Sequence, residues 1–234
     1  MNFYAKFIQK IKRTSNVISF RFKLSEHLNF SAGQFAKVIF DESDSKNKTL
    51  NKYLSFSNAP GKDYIEVTKK ISDSDFSRKL ISLTENDKVL FKGPFGKCIF
   101  TPETKKIGFL VGGIGVTPVI SILESIIEKN IDIQVTFLYS NWIEKDIAFK
   151  EILDTWTKQY SSLKVIHILN EIEDNNKYFK GFITKEIIEE TFPDFKENKI
   201  FIFGPPVMVN KITDLCLTLG CLKENLSIEQ FMGY

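Results

Sequence analysis

The first hundred residues alternate between apolar and polar side chains with a period of two. The alternation is clearest in five short segments: residues 3–8, 17–22, 35–40, 64–68 and 89–91. Turn-forming stretches such as residues 41–51 separate these segments. Because successive side chains of a strand point to opposite faces, the pattern predicts short strands with one buried face. Regularly spaced short strands favour an antiparallel barrel or sandwich.

After Pro102 the pattern changes to alternating strands and helices. Four apolar runs predict buried strands: residues 107–111, 135–139, 165–169 and 200–203. Apolar residues at helical spacing predict three helices. Their apolar faces comprise Val119, Ile122, Leu123, Ile126 and Ile127, then Phe149, Ile152, Leu153 and Trp156, and finally Met208, Ile212, Leu215, Cys216 and Leu219. We therefore predict an antiparallel β-barrel domain over residues 1–101 and an α/β Rossmann-like parallel-sheet domain over residues 102–234.

Composition narrows the class of protein. The chain has 43% hydrophobic and 26% charged residues, which is typical of a globular protein. Its net charge of +3 is too small and too dispersed to indicate nucleic-acid binding, and residues 10–13 (Lys-Ile-Lys-Arg) are predicted to be a solvated strand face. Cys98, Cys216 and Cys221 lack metal-ligand or iron–sulfur spacing, so no metal site is predicted. Cys216 is expected to be a buried thiol, and a reducing cytoplasm is expected.

The most apolar stretch, residues 107–123, is not predicted to span a membrane. Glycines and Pro118 interrupt it, and it falls short of the roughly 20 apolar residues that a span requires. The N-terminus contains no apolar signal-peptide core. We therefore expect a soluble protein without a membrane span.

A glycine-rich loop over residues 112–118 is predicted to join a strand to a helix. Its glycines would let backbone N–H groups approach an anion, with Thr117 as the N-cap and Pro118 as the first helical residue. A helix N-terminus at this point favours a pyrophosphate. The loop lacks the G-x-G-x-x-G fingerprint, so a turn required only for close packing explains it equally well.

Three further segments combine residues that suit cofactor binding. They are Lys52-Tyr53-Leu54-Ser55 on a strand, Gly93-Pro94-Phe95-Gly96 near the end of the first half, and Gly204-Pro205-Pro206 between a strand and the last helix. Each alone is also explained structurally, as a core strand with a polar edge, a hairpin turn and a rigid strand-to-helix turn.

The order and spacing of these four segments resemble the ferredoxin–NADP⁺ reductase superfamily, over essentially the whole chain. The family has an R-x-Y-S strand, a G-P-x-G turn, a G-G-x-G-x-T-P loop, a G-P-P loop and a carboxy-terminal aromatic residue. The resemblance implies a flavin-binding barrel followed by a nicotinamide-binding α/β domain, with hydride transfer across their cleft. It implies FAD, in preference to FMN, and NADH or NADPH as cofactors.

The resemblance also implies flavin-binding residues in the first half. Lys52 takes the place of the family's arginine, Leu54 that of its tyrosine and Ser55 that of its serine near flavin N5. Tyr53 is the aromatic residue that could replace the missing tyrosine contact.

A second phosphate-binding element is implied further along the chain. Thr68 and Lys69 lead to Ser77 at a helix start, with Ser74 in place of the family's glycine.

In the second half, five residues match the family's nicotinamide-dinucleotide contacts: Gly113, Gly115, Thr117, Gly204 and Pro205. Phe203 stands where many relatives carry a cysteine. Glu229 resembles the family's carboxylate near the active site, although an exposed strand carboxylate is the alternative. Tyr234 resembles the terminal aromatic residue that stacks on the flavin, although a chain end without a role is the alternative. Ser55, Glu229 and Tyr234 are therefore the predicted catalytic residues.

The resemblance implies a NAD(P)H-dependent reductase that transfers electrons to ferredoxin or flavodoxin. A flavin reductase, or a non-catalytic flavin-holding subunit of a larger complex, would have the same motifs. Residues 140–142 (Ser-Asn-Trp) lack the arginine that NADPH-using relatives often place there, and Lys145 is a weaker substitute. We expect NADH to be used at least as well as NADPH.

Overall fold

The computed structural model describes residues 1–102, 104–172 and 178–231. The chain forms two compact units. The first comprises Met1–Phe100 and Thr117–Ser125, and the second comprises Thr101–Val116 and the chain from Ile126 onward.

The first unit contains an antiparallel sheet of six strands. Its elements are β1 (Asn2–Lys12), β2 (Val17–Leu24), β3 (Phe35–Ile39), β4 (Asn51–Ser55), β5 (Tyr64–Lys70), α1 (Asp75–Ser82) and β6 (Lys88–Phe95). The strands follow the order β4-β3-β6-β1-β2-β5. A bridge between Phe56 and Val67 joins the two edges, and the Ser57 N–H donates to the Glu66 carbonyl at 2.8 Å. The sheet thus closes into the predicted barrel.

Inward-facing apolar side chains fill the barrel, as the period-two pattern predicts. Its largest fully buried residues are aromatic: Phe20, Phe22, Phe56, Phe76 and Phe91. Phe22 and Phe91 meet edge to face with their ring centroids 5.0 Å apart. Such aromatic pairs contribute about 0.5–1.5 kcal/mol beyond the burial of their area.

The second unit contains a parallel sheet with helices. Its elements are β7 (Lys106–Gly112), β8 (Gln134–Asn141), α3 (Lys150–Gln159), β9 (Leu163–Leu169), β10 (Phe179–Lys180), α4 (Lys185–Thr191), β11 (Lys199–Gly204), α5 (Pro206–Thr218) and β12 (Leu226–Gln230). Helix α2 (Val116–Glu128) follows β7 in the chain, and its residues Thr117–Ser125 are grouped with the first unit. The strand order is β10-β9-β8-β7-β11-β12. The chain therefore adds strands to one side of β7 and then returns to the other side. This reversal creates a switch point between β7 and β11, where open parallel sheets bind ligands beyond the carboxyl ends of their strands.

Several local expectations are confirmed and two are wrong. Cys216 is buried, and burial raises the pKa of its thiol to about 12. The prediction that Thr117 is an N-cap is wrong, because a 3₁₀ turn over Gly113–Gly115 runs directly into α2 and Thr117 is already helical. Phe149 precedes α3 with φ 63°, instead of forming part of the helix.

A third expectation is wrong in part. Lys10 and Lys12 are exposed, but Arg13 turns inward and its side chain is only 11% exposed. In the described parts of the chain, no helix combines the length and apolar character needed to cross a membrane.

Candidate functional site

Strand β4 presents its predicted flavin-binding residues on two different faces. Leu54 is half-buried against the barrel core, and Lys52 shares its face because the two residues are two apart in a strand. Tyr53 points the other way and is 60% exposed. Its ring meets the edges of Phe35 and Phe95, with centroids 5.7 and 6.1 Å away. The structure therefore brings Lys52 and Leu54 together but directs Tyr53 away from them.

Ser55 ends β4 and is buried. In the ladder it lies opposite Phe35 of β3. Its predicted place beside the flavin is thus at the end of a regular strand, where main-chain pairing fixes its position.

Lys69 is the centre of a positive cluster in the first unit. Its side chain is buried, and its ammonium donates to the Lys70 carbonyl at 2.7 Å. Burial, and then the charges of Lys52 and Lys70, lower the pKa of Lys69. Within the described residues no carboxylate pairs with it. A buried cation beside two others provides a favourable environment for a phosphate.

The predicted second phosphate element begins helix α1. Ser74 is the N-cap, and its hydroxyl accepts from the Ser77 N–H at 3.3 Å. Ser77 is buried, and its hydroxyl also lies 3.2 Å from the Ser72 N–H. Ser74 thus replaces the family's glycine with a residue that orders the helix start.

Thr68 points into a buried polar network instead of toward Lys69. Its hydroxyl lies 2.7 Å from those of Ser19 and Ser57. The centre of this network is Glu66, which is 1% exposed and which accepts from the Ser57 hydroxyl at 3.1 Å. These bonds tie β2 and β5 to the segment that follows β4.

Two arginines neutralise Glu66. Arg13 donates to both carboxylate oxygens at 3.0 and 3.2 Å, and Arg21 donates at 2.8 Å. This cluster was not predicted from the sequence. Arg21 and Glu66 are directly opposite in the β2–β5 ladder, so knowledge of the strand register would have identified the pair.

The two glycine loops of the second unit meet at the switch point. A side chain at Gly115 is excluded, because a Cβ would lie 2.7 Å from the carbonyl carbon and oxygen of Phe203 and 2.9 Å from the Gly204 nitrogen. Gly113 has φ +52° and open space around it. The buried Tyr139 donates its hydroxyl to the Gly113 carbonyl at 3.0 Å. The close packing of Gly115 thus fixes the loop, while Gly113 leaves the backbone accessible to a ligand.

The second loop follows β11, the strand beside β7. Pro205 is the N-cap of α5, and Phe203 is fully buried at the end of β11. No thiol occupies the position of Phe203, as the sequence already indicates.

Glu229 lies on the strand that borders this loop. It is directly opposite Phe203 in the β11–β12 ladder, and the Phe231 N–H donates to the Gly204 carbonyl at 2.9 Å. The residue is half-buried, and burial raises the pKa of its carboxyl to about 7. Glu229 can therefore hold or release a proton near neutral pH. Tyr234, the third predicted catalytic residue, lies outside the described residues.

Two amide side chains lie at the carboxyl ends of β8 and β9: Asn141 is the last residue of β8, and Asn170 directly follows β9. The Nδ2 atom of Asn141 and the Oδ1 atom of Asn170 are buried without a hydrogen-bond partner among the described residues. Buried polar atoms of this kind are costly unless a ligand or water satisfies them. Asn170 was missed in our sequence analysis, because one more polar residue after a strand is not distinctive.

Each of these two amides has a carboxylate a few residues further along the chain. Glu171 accepts from the Trp142 indole N–H at 3.0 Å, and Glu144 accepts from the Tyr178 hydroxyl. Lys145 is exposed. The ends of β8 and β9 thus offer neutral amides and negative charge.

These residues fit the two cofactors that the resemblance implies. The Lys52–Lys69 cluster suits the phosphates of FAD, and the loops at the switch point suit the phosphates of a nicotinamide dinucleotide. Across the described residues, no group of three or more His, Cys, Asp or Glu side chains is arranged to hold a metal ion.

Comparison with known proteins assigns the same roles to the two halves. The family described as "Oxidoreductase FAD-binding domain" matches residues 4–100, and that described as "Oxidoreductase NAD-binding domain" matches residues 109–214. The plasma membrane-associated coenzyme Q6 reductase of Saccharomyces cerevisiae is 32% identical over 214 residues, which cover 88% of this chain and 68% of the yeast protein.

Other relatives differ in their named acceptors. NADH-cytochrome b5 reductase 1 of Coccidioides immitis is 27% identical over 237 residues, which cover 95% of this chain and 77% of that protein. The crystal structure of a ferredoxin NADP⁺ reductase from Neisseria gonorrhoeae with bound FAD and NADP has a TM-score of 0.81 at 19% identity, and the match covers 98% of both chains.

Proposed function

Because the chain belongs to the ferredoxin–NADP⁺ reductase superfamily, we propose that it is an NADH-dependent reductase that transfers electrons from FAD to a separate electron-transfer protein. The chain is an oxidoreductase with an FAD-binding and an NAD-binding domain. The proposal rests on the two glycine loops, which meet at the switch point next to the carboxyl of Glu229, whose pKa is about 7. When bound, FAD accepts a hydride from the nicotinamide and releases electrons singly.

The chain's own residues position the cofactors and control protons. We assign the FAD phosphates to Lys52, Lys69 and the start of α1, because the buried Lys69 ammonium beside Lys52 and the N-terminus of a helix favour anions. Glu229 holds a proton near neutral pH, and Ser55 supplies a hydroxyl at the end of β4.

The preference for NADH follows from the ends of β8 and β9. Asn141 and Asn170 offer a buried donor and a buried acceptor, which suit ribose hydroxyls. Glu171 would repel a 2′-phosphate, whereas the charge of Glu144 is offset in part by Lys150, whose ammonium lies 4.0 Å from its carboxylate. We expect kcat/KM for NADH to exceed that for NADPH by at least about tenfold, or about 1.4 kcal/mol. Equal kcat/KM values for the two cofactors, or any preference for NADPH, would contradict this assignment.

The acceptor that we favour is a cytochrome b5-type haem protein, ahead of ferredoxin or flavodoxin. This choice is supported by the relative from Coccidioides immitis, which is named NADH-cytochrome b5 reductase 1 and whose match covers 95% of this chain. Coenzyme Q is the second candidate, because a relative with 32% identity is named for it. We further propose a reducing, cytoplasmic location, which is consistent with three cysteines that form no disulfide.

An acceptor screen tests the proposal. The FAD-loaded protein is assayed with NADH and with NADPH against cytochrome b5, ferredoxin, flavodoxin, a coenzyme Q analogue, free FAD and free FMN. We expect cytochrome b5 to be reduced fastest. Faster reduction of free flavin than of any protein would instead identify a flavin reductase. The absence of turnover with every acceptor, ferricyanide included, would identify a flavin-holding subunit.

A further inference from the structure

The strands of the barrel contain almost no negative charge. Strands β1, β2, β3, β4 and β6 have no Asp or Glu. Strand β5 has Glu66, which is buried and paired with Arg13 and Arg21. The lysines on the outside of the barrel therefore have no acidic partner within the sheet.

Five of these lysines share the outer face of four neighbouring strands, β2, β1, β6 and β3. Lys6 is directly opposite Lys23 on β2 and Lys88 on β6, and Lys92 is directly opposite Lys37 on β3. Partners in a ladder lie on the same face of the sheet. Ala5 and Phe7, which flank Lys6 in the chain, point inward and are buried. We call Lys6, Lys23, Lys37, Lys88 and Lys92 the lysine face.

The protein neutralises only part of the charge of the lysine face, and the half-buried Lys37 also donates to the Ser45 carbonyl. Like charges directly opposite in a sheet are destabilising, and Lys6 has a lysine on both sides. In the part of the chain that the structure describes, none of the five forms an ion pair with a carboxylate. One carboxylate lies on this face: Glu42 accepts from the hydroxyl of Tyr4 and offsets part of the positive charge. Asp87, next to Lys88 in the chain, accepts from Thr84. The protein thus maintains a costly concentration of positive charge on an exposed surface.

We propose that the lysine face is a docking surface for an anionic phospholipid bilayer. Charge complementarity selects an anionic partner. The lysines are distributed over four strands, so mobile headgroups can reach each ammonium separately, whereas a folded partner would need carboxylates at matching fixed positions. Tyr4, between the two rows of lysines, is 49% exposed, and Tyr53, opposite Lys37, is 60% exposed. Tyrosine is a side chain that favours the boundary between water and lipid. This binding is independent of the electron acceptor.

Vesicle sedimentation tests the proposal on the full, FAD-loaded chain. The vesicles are phosphatidylcholine alone or phosphatidylcholine with about 30% phosphatidylserine, at about 0.15 M salt, where long-range attraction is screened. We expect binding to the anionic vesicles and little binding to the neutral ones. Each lysine near such a surface contributes about fivefold, so a variant with Lys6, Lys23 and Lys88 changed to Gln should bind about a hundredfold more weakly.

A matched variant separates the lysine face from net charge. Lys129, Lys158 and Lys211 are exposed on the second unit, and changing these three to Gln removes the same charge. This control should bind within about threefold of the wild type, because the lysine face remains intact. FAD content and the unfolding midpoint establish that both variants fold.

Three results would overturn the proposal. They are equal binding to neutral and anionic vesicles, equal losses in the two triple variants, and failure of the wild type to bind anionic vesicles. The last result would leave an acidic protein as the occupant of the lysine face.

Discussion

Glu229 is predicted to titrate near neutral pH because its half-buried carboxyl is partly removed from water. Burial disfavours the ionised form and raises its pKa from 4.5 to about 7. Glu229→Gln keeps the shape of the side chain and removes the ionisation. A titration of the wild type by ¹³C NMR of the glutamate carboxyl carbons should therefore contain one midpoint near 7, and this midpoint should be absent from the variant.

The same shift changes stability with pH in a defined direction. Below the unfolded pKa of 4.5 the carboxyl is neutral in both states, so its burial costs nothing. As the pH rises toward 7, the unfolded state ionises while the folded state resists, and the folded protein loses stability. The loss amounts to about 3 kcal/mol between about pH 4 and pH 8. The variant should therefore gain about this amount relative to the wild type over the interval.

Tryptophan fluorescence during urea unfolding measures this difference in the second unit alone. The chain has two tryptophans, Trp142 and Trp156, and both belong to that unit. Glu224→Gln, at an exposed position two residues before β12 begins, provides the control and should show no such gain. A wild-type midpoint at the ordinary value of 4.5, or a difference between wild type and Glu229→Gln that does not vary with pH, would refute the reasoning.

Three further predictions concern the two units separately. Gly115→Ala should lower the free energy of unfolding by about 1–3 kcal/mol, because the added Cβ meets the Phe203 backbone. The variant should also have a raised KM for NADH and an unchanged FAD content, and an unchanged KM would contradict this. Lys69→Met should weaken FAD binding by about tenfold, or about 1.4 kcal/mol, in fluorescence titrations, and more than Lys70→Met, since Lys69 is the buried cation of the two. Glu66→Gln should lower the unfolding free energy of the first unit by about 3–5 kcal/mol, because two arginines lose their counter-charge. Urea unfolding, monitored by the release of FAD, measures this loss, and a loss below about 1 kcal/mol would refute the prediction.

Local patterns in the sequence were sufficient to predict most of the fold. The strands at residues 17–22 and 107–111 follow from the spacing of apolar residues, which depends on neighbours only. The glycine loops were identified for the same reason. Short elements were missed, because the seven residues of α4 and the two of β10 are too few to establish a period.

Features that depend on distant parts of the chain could not be predicted. The pairing of Arg21 with Glu66 requires the register between β2 and β5, and the exclusion of a side chain at Gly115 requires the position of β11. Residue preferences placed an N-cap at Thr117, but the 3₁₀ turn before it made that position helical. Tyr53 is a contrasting case, because strand alternation alone separates it from Lys52 and Leu54.

The position of β11 beside β7 has a consequence for how the protein folds. Gly108 pairs with Ile200, so the two strands that meet at the switch point are about ninety residues apart in the chain. Contacts of such long range raise contact order and slow folding, since a large loop must close before they form. During synthesis the loop at Gly113–Gly115 emerges early, but the backbone against which Gly115 packs is made much later. The Gly113–Gly115 loop therefore reaches its final form late in synthesis, after the barrel residues have left the ribosome.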